Sequence, residues 1–197
     1  MYKKQMGFQK IACMAALISA AVVFVYSLGI LTDLYDTLYG TMRNPNDLTQ
    51  TLVPGSIIYY DMQDFNRTYM HLGLGLILLA VLLFVTNTHV RRRYYVGNIV
   101  ATLLFCAASA GVNLWAHAKI AAYKVQYLTT VDFEALKSYA EMWKQTYSDS
   151  TLLLDLHIPV TVLSFLAVAA LVVNLIWKLN MMRSEAKLIA QGKGAAA

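Results

Sequence analysis

The chain has 197 residues, of which 58% are hydrophobic and only 14% charged, with a mean hydropathy of +0.51. A typical soluble domain is about a quarter charged, so this balance excludes an ordinary soluble globule. The net charge of +5 does not point to nucleic acid, because the cations are sorted along the chain rather than gathered in one patch.

Four apolar runs with almost no internal charge set the fold. They span about residues 11–31, 69–86, 95–115 and 158–177. A helix needs roughly 20 mostly apolar residues to cross a hydrocarbon core of about 30 Å. The expected fold is therefore an all-α membrane protein. It is a four-helix transmembrane bundle with an extra amphipathic helix in the second outer loop. Residues 1–190 are expected to form a single bundle domain, with outer loops at 33–68 and 117–157 and a disordered tail at 191–197.

Lys3 and Lys4 precede the first run in the manner of a signal sequence. The run of about 20 residues exceeds the usual 7–15 of a signal core, so it reads as a retained signal anchor. Ala12, Ala16 and Ala20 form a small-residue stripe along it. Such spacing lets helix backbones approach closely in lipid, within the bundle or against a partner. Leu31, Leu34, Tyr35 and Leu38 keep a helical spacing as far as Gly40, a plausible cap. The following segment is rich in Asn, Pro, Gly and Thr and reads as irregular loop. Ser56–Tyr60 is compatible with a short extended piece, without a second strand to pair with it.

A short basic turn holding Arg91, Arg92 and Arg93 joins the second and third runs, which must be antiparallel neighbours. These three arginines are expected to meet anionic lipid headgroups. The third run carries Ala107 and Gly111, four apart, as a second packing face. Its helix is expected to extend outward through Lys119, Tyr123 and Tyr127. Thr129 or Thr130 would then cap an amphipathic helix over residues 131–148, with Asp132 and Glu134 in its first turn, where the helix dipole favours acids. Phe133, Leu136, Ala140, Trp143 and Tyr147 recur at steps of three and four and define its apolar face. Pro159 falls at the start of the fourth run, where a missing N–H costs nothing.

Charge sets the orientation. The N-terminus, the Arg91–Arg93 turn and the tail hold ten basic residues, Lys178 among them, opposed by Glu185 alone. The two long loops hold six basic residues against ten acidic ones. Basic residues mark the cytoplasmic side, so both termini are expected inside and both loops outside. The membrane is expected to be the bacterial cytoplasmic one.

Cys13 and Cys106 lie at depths about 14 Å apart along their helices. A disulfide needs Cα atoms within about 7 Å, so both are expected as free, buried thiols. Three histidines share one height at the outer boundary: His71, His117 and His157, with Asp33 and Asp36 at the same level and Asp155 nearby. His71, His117, His157 and Asp33 form the candidate metal set, for zinc or another transition metal. Two of these imidazoles are also a candidate axial pair for haem iron.

Ionisable residues are almost absent from the apolar runs, which argues against a proton-coupled pump. Asn113 and Asn174 are the polar exceptions and are expected to hydrogen-bond between helices. No catalytic motif is evident. The leading expectation is a non-catalytic membrane subunit without a cofactor. It would meet lipid and other membrane proteins, or a second copy of itself, through its packing faces and tyrosine-rich outer loops. A metal or haem redox protein and a small transporter or channel component are the alternatives.

Overall fold

The computed structural model describes residues 2–31, 38, 41, 52–88 and 95–194. Asp33, Asp36 and most of the stretch from Leu31 to Gly40 lie outside the described residues. So do Arg91, Arg92 and Arg93, the expected headgroup contacts. The described residues form six helices: α1 (Tyr2–Gly29), α2 (Ile58–Thr88), α3 (Tyr95–Thr130), α4 (Phe133–Trp143), α5 (Leu152–Asp155) and α6 (His157–Gly194). No strand occurs among the described residues. Four of the helices (α1, α2, α3 and α6) are apolar enough to cross a membrane. They contain 28, 31, 36 and 38 residues. At 1.5 Å per residue they run about 42–57 Å, longer than the roughly 30 Å of hydrocarbon they must cross. The architecture is an all-α bundle of membrane type with a short amphipathic helix between the third and fourth spans.

The helix ends depart from the sequence reading, each for a local reason. Ser56–Tyr60 is not extended, because α2 begins at Ile58. Val53, Pro54, Gly55 and Ser56 make a turn closed by Ser56 N–H to the Val53 carbonyl at 3.3 Å. Ile58, Met62, Phe65 and Tyr69 then bury one helical face at steps of four, three and four. That face outweighs the strand preference of the local residues. α1 stops at Gly29, with Ile30 N–H closing the last turn on Tyr26 O at 3.1 Å; the expected continuation toward Gly40 falls mostly outside the described residues.

Thr129 and Thr130 do not cap the amphipathic helix. Their hydroxyls bond back to Val125 O at 2.8 Å and Gln126 O at 2.7 Å, which keeps both residues inside α3. Asp132 is the cap instead, accepting from Ala135 N at 3.0 Å. α4 ends at Trp143, before a left-handed Lys144 with φ of 51°. It is thus shorter than the expected 131–148. The tail reads differently as well, since α6 continues through residues 191–194.

Cα packing divides the chain into two compact units. One comprises Met1–Ala20, Leu76–Ala110 and Leu163–Ala197. Its apolar core is Ala12, Cys13, Ala16 and Ala20 of α1, Leu76, Ala80 and Leu83 of α2, Ala101 and Phe105 of α3, and Ala167 and Leu171 of α6. The alanine stripe of α1 is therefore used inside the chain. The other unit comprises Ala21–Gly75 and Gly111–Val162. Here α1 and α2 approach closely at Gly73, where a Cβ would stand 3.1 Å from the Cα of Phe24. Small residues serve this kind of backbone approach in membrane helices.

Candidate functional site

The termini-bearing unit holds a buried polar network drawn from all four long helices. Gln5 and Gln9 sit one turn apart on α1, continuing the face of Ala12 and Ala16. Gln5 Nε2 donates to Gln9 Oε1 at 3.1 Å and to Asn174 Oδ1 of α6 at 3.0 Å. Gln9 Nε2 donates to the main-chain carbonyl of Asn87 on α2. Asn87 Nδ2 in turn donates to Leu83 O at 2.9 Å.

Asn98 of α3, with its amide oriented by its neighbours, donates to Thr86 O and accepts from Lys178 Nζ at 2.8 Å. Thr102 Oγ1 donates to Asn98 O at 2.7 Å. Lys178 is only 7% exposed and Asn98 4%, so an ammonium group lies within the helix packing. Buried amides can donate and accept at once, and here they reach one another, main-chain carbonyls and Lys178 from all four long helices. Interhelical hydrogen bonds in membranes are worth about 0.6–2 kcal/mol each, so the network holds the helix register.

Asn174 thus takes the interhelical role expected of it. The rest of the network was hidden in the linear sequence. Lys178 reads there as one more cytoplasmic cation. Gln5 and Gln9 precede the first apolar run and read as a solvated terminus. Their step of four, in phase with Ala12 and Ala16, is the signal that marks them as part of the buried face.

In the loop-bearing unit the aromatic residues pack on one another. Phe65 lies 5.7 Å from Tyr69, 5.1 Å from Trp115 and 5.6 Å from Tyr123, ring centre to ring centre. Tyr26 meets Tyr69 edge-on at 6.2 Å. Such pairs contribute about 0.5–1.5 kcal/mol each beyond burial. Tyr26 also donates through its hydroxyl to Leu153 O at 2.8 Å, tying α5 to α1. Lys124 Nζ meets Asp155 Oδ1 at 2.5 Å, and Thr151 Oγ1 donates to Asp155 Oδ2 at 2.9 Å. The lysine and aspartate are partly exposed, so water screens the pair and it adds little to stability.

Two of the three candidate histidines converge. His157 is buried, and its Nδ1–H donates to Leu154 O at 2.5 Å. In a neutral ring that contact makes Nε2 the acceptor, and it faces Nδ1 of His117 at 3.0 Å. The two ring centres are 4.8 Å apart. His71 does not join them in this hydrogen bond. It is exposed, with Nδ1 on Arg67 O of its own helix at 2.7 Å. Asp33 lies outside the described residues. No group of three or more His, Cys, Asp or Glu among the described residues is placed to hold a metal ion.

The expected interface residues divide. Ala12, Ala16 and Ala20 are buried within the chain, as are Leu136 and Ala140 of α4. Phe133 is half-buried edge-on against Tyr127 at 5.2 Å. Ala107 and Gly111 are exposed, and a Cβ at Gly111 would meet nothing within 4 Å. Trp143 is exposed, and Tyr147 is half-buried beyond the end of α4. Cys13 and Cys106 are both free thiols.

No protein-family model, curated protein or solved structure gives a significant match to this chain.

Proposed function

We propose that the protein is a non-catalytic integral subunit of a larger membrane assembly. On this reading it resides in a bacterial cytoplasmic membrane with both termini in the cytoplasm. The observation that carries the proposal is the end of α4. Met142 and Trp143 are 75% and 61% exposed there, outside the four spans. Within α4, Leu136 and Ala140 turn inward to the chain's own core, which leaves the Met142–Trp143 end uncovered. Exposed Met and Trp side chains are typical of interface cores. Ala107 and Gly111 on α3 offer a second uncovered face, of the small-residue kind that packs helices in lipid. The polar network favours the same reading, since its amide groups are spent on bonds to one another, to main-chain carbonyls and to Lys178. Exposed Lys3, Lys4, Lys10, Arg183 and Lys187 support the orientation, although Lys178 no longer counts as a surface cation.

Purification in mild detergent tests the proposal. The wild-type protein is expected to elute with a second, stoichiometric component. The double substitution Met142→Ser, Trp143→Ser is expected to release that component without lowering the melting temperature. Elution as a monodisperse single chain under the same conditions would contradict it.

A further inference from the structure

We infer that His117 and His157 form a two-imidazole site for a divalent late transition-metal ion, zinc or copper(II), with its remaining coordination positions open. The inference does not depend on the subunit reading.

The geometry carries it in three parts. His117 Nδ1 and His157 Nε2 point at each other across 3.0 Å. A tetrahedral ion with metal–nitrogen bonds of about 2.0–2.1 Å sets its two nitrogens about 3.3–3.4 Å apart. The nitrogens need separate by only a few tenths of an ångström, but the rings must also tilt so that both lone pairs turn off the line between them toward the ion, and the exposed His117 ring has the freedom to make that turn.

His157 also has the outer-shell contact of a metal ligand. Its Nδ1–H is held by the Leu154 carbonyl, which fixes the tautomer and aims the Nε2 lone pair outward, as backbone carbonyls do for metal-bound histidines. Finally, binding needs no net loss of protons. With both rings neutral, the one proton between them sits on His117 Nδ1. When it moves to His117 Nε2 on the exposed side, both facing nitrogens present lone pairs from neutral rings.

Nearby charges leave the pair free to act. Asp155 is engaged by Lys124 and Thr151, so it orders the segment leading to His157 and is not offered as a third ligand. With two protein ligands, water or an external donor fills the rest of the coordination sphere. Imidazole ligation suits zinc and copper rather than magnesium or calcium. Two rings in direct contact leave no space for a porphyrin between them.

The test uses the full chain, free of any affinity tag, in detergent and stripped with chelator. Calorimetric titration with zinc is expected to give one ion per chain. Copper(II) is expected to show an electron-paramagnetic-resonance spectrum with coupling to two nitrogens. His117→Gln keeps an N–H that can donate to His157 Nε2 and so preserves the fold; it is expected to abolish stoichiometric binding while the melting temperature holds. His157→Ala is expected to abolish binding as well, and His71→Ala to leave it intact. Absence of binding by both ions, or binding that survives His117→Gln, would overturn the inference.

Discussion

Gly55→Ala is expected to destabilise the protein by about 4 kcal/mol or more, at the extreme of single-residue effects. Two costs combine. Gly55 has φ of +81°, as the third residue of the turn requires, and a side chain in left-handed geometry costs about 1–2 kcal/mol. The steric cost is larger. A Cβ at Gly55 would stand 2.0 Å from Thr130 O, 2.4 Å from Thr130 C and 2.7 Å from Val131 N. All three are backbone atoms, so no rotamer change relieves the contact.

The turn would have to leave the junction of α3 and α4. The bond from Asp132 N–H to Pro54 O, 3.1 Å long, would be lost with it. Gly75→Ala is the matched control, because a Cβ there meets nothing within 4 Å and alanine is the better helix former by about 1 kcal/mol. Thermal unfolding in detergent should show a large loss for the first variant and none for the second. Equal melting of Gly55→Ala and wild type would show that the turn does not seat against α3 in this way.

Asn98→Leu is expected to cost about 2–4 kcal/mol. The leucine removes the acceptor from a buried ammonium and the donor from Thr86 O. Hydrogen bonds to charged groups contribute about 1.5–3 kcal/mol, and stranding a buried charge costs more than removing a neutral group. Lys178→Met takes the charge away and keeps an apolar stem of similar length. It is expected to cost less, about 1 kcal/mol, chiefly through the acceptor it leaves on Asn98.

The double variant is the informative one. With amide and ammonium both replaced by apolar groups, it should be more stable than Asn98→Leu alone, giving a coupling of about 1–3 kcal/mol in the cycle. Strict additivity of the two losses would mean that Lys178 and Asn98 do not interact.

The sequence makes the spans legible because a bilayer imposes one simple rule, about 20 apolar residues in a row. The same rule is blind outside the hydrocarbon. The first 11 residues of α2, Ile58–Thr68, carry Asp61, Asp64 and Arg67 on one side. They read as loop, yet Ile58, Met62 and Phe65 bury the other side. α4 was legible from its three-and-four spacing, but its cap was not. Whether Thr130 or Asp132 caps depends on where the threonine hydroxyl bonds, and that is settled by the continuing α3 carbonyls.

The candidate sites follow the same pattern. Shared height at the outer boundary suggested three histidines. Rotation about each helix axis then decides which of them meet, and His71 bonds back to Arg67 O of its own helix while His117 and His157 converge. Among the cations, local charge patterning could not separate Lys178 from its exposed neighbours. Its position four residues after Asn174, one helical turn along the same face, is what buries it.

Membrane sidedness is the foundation of the proposed subunit role, and introduced cysteines read it most directly. Ser150→Cys and Ser184→Cys, each exposed, would be placed one at a time in a chain carrying Cys13→Ala and Cys106→Ala. A membrane-impermeant maleimide applied to intact cells is expected to label position 150 at once, and position 184 only after lysis. Labelling of both positions before lysis would put the α4 loop and the end of α6 in one compartment and contradict the four-span account.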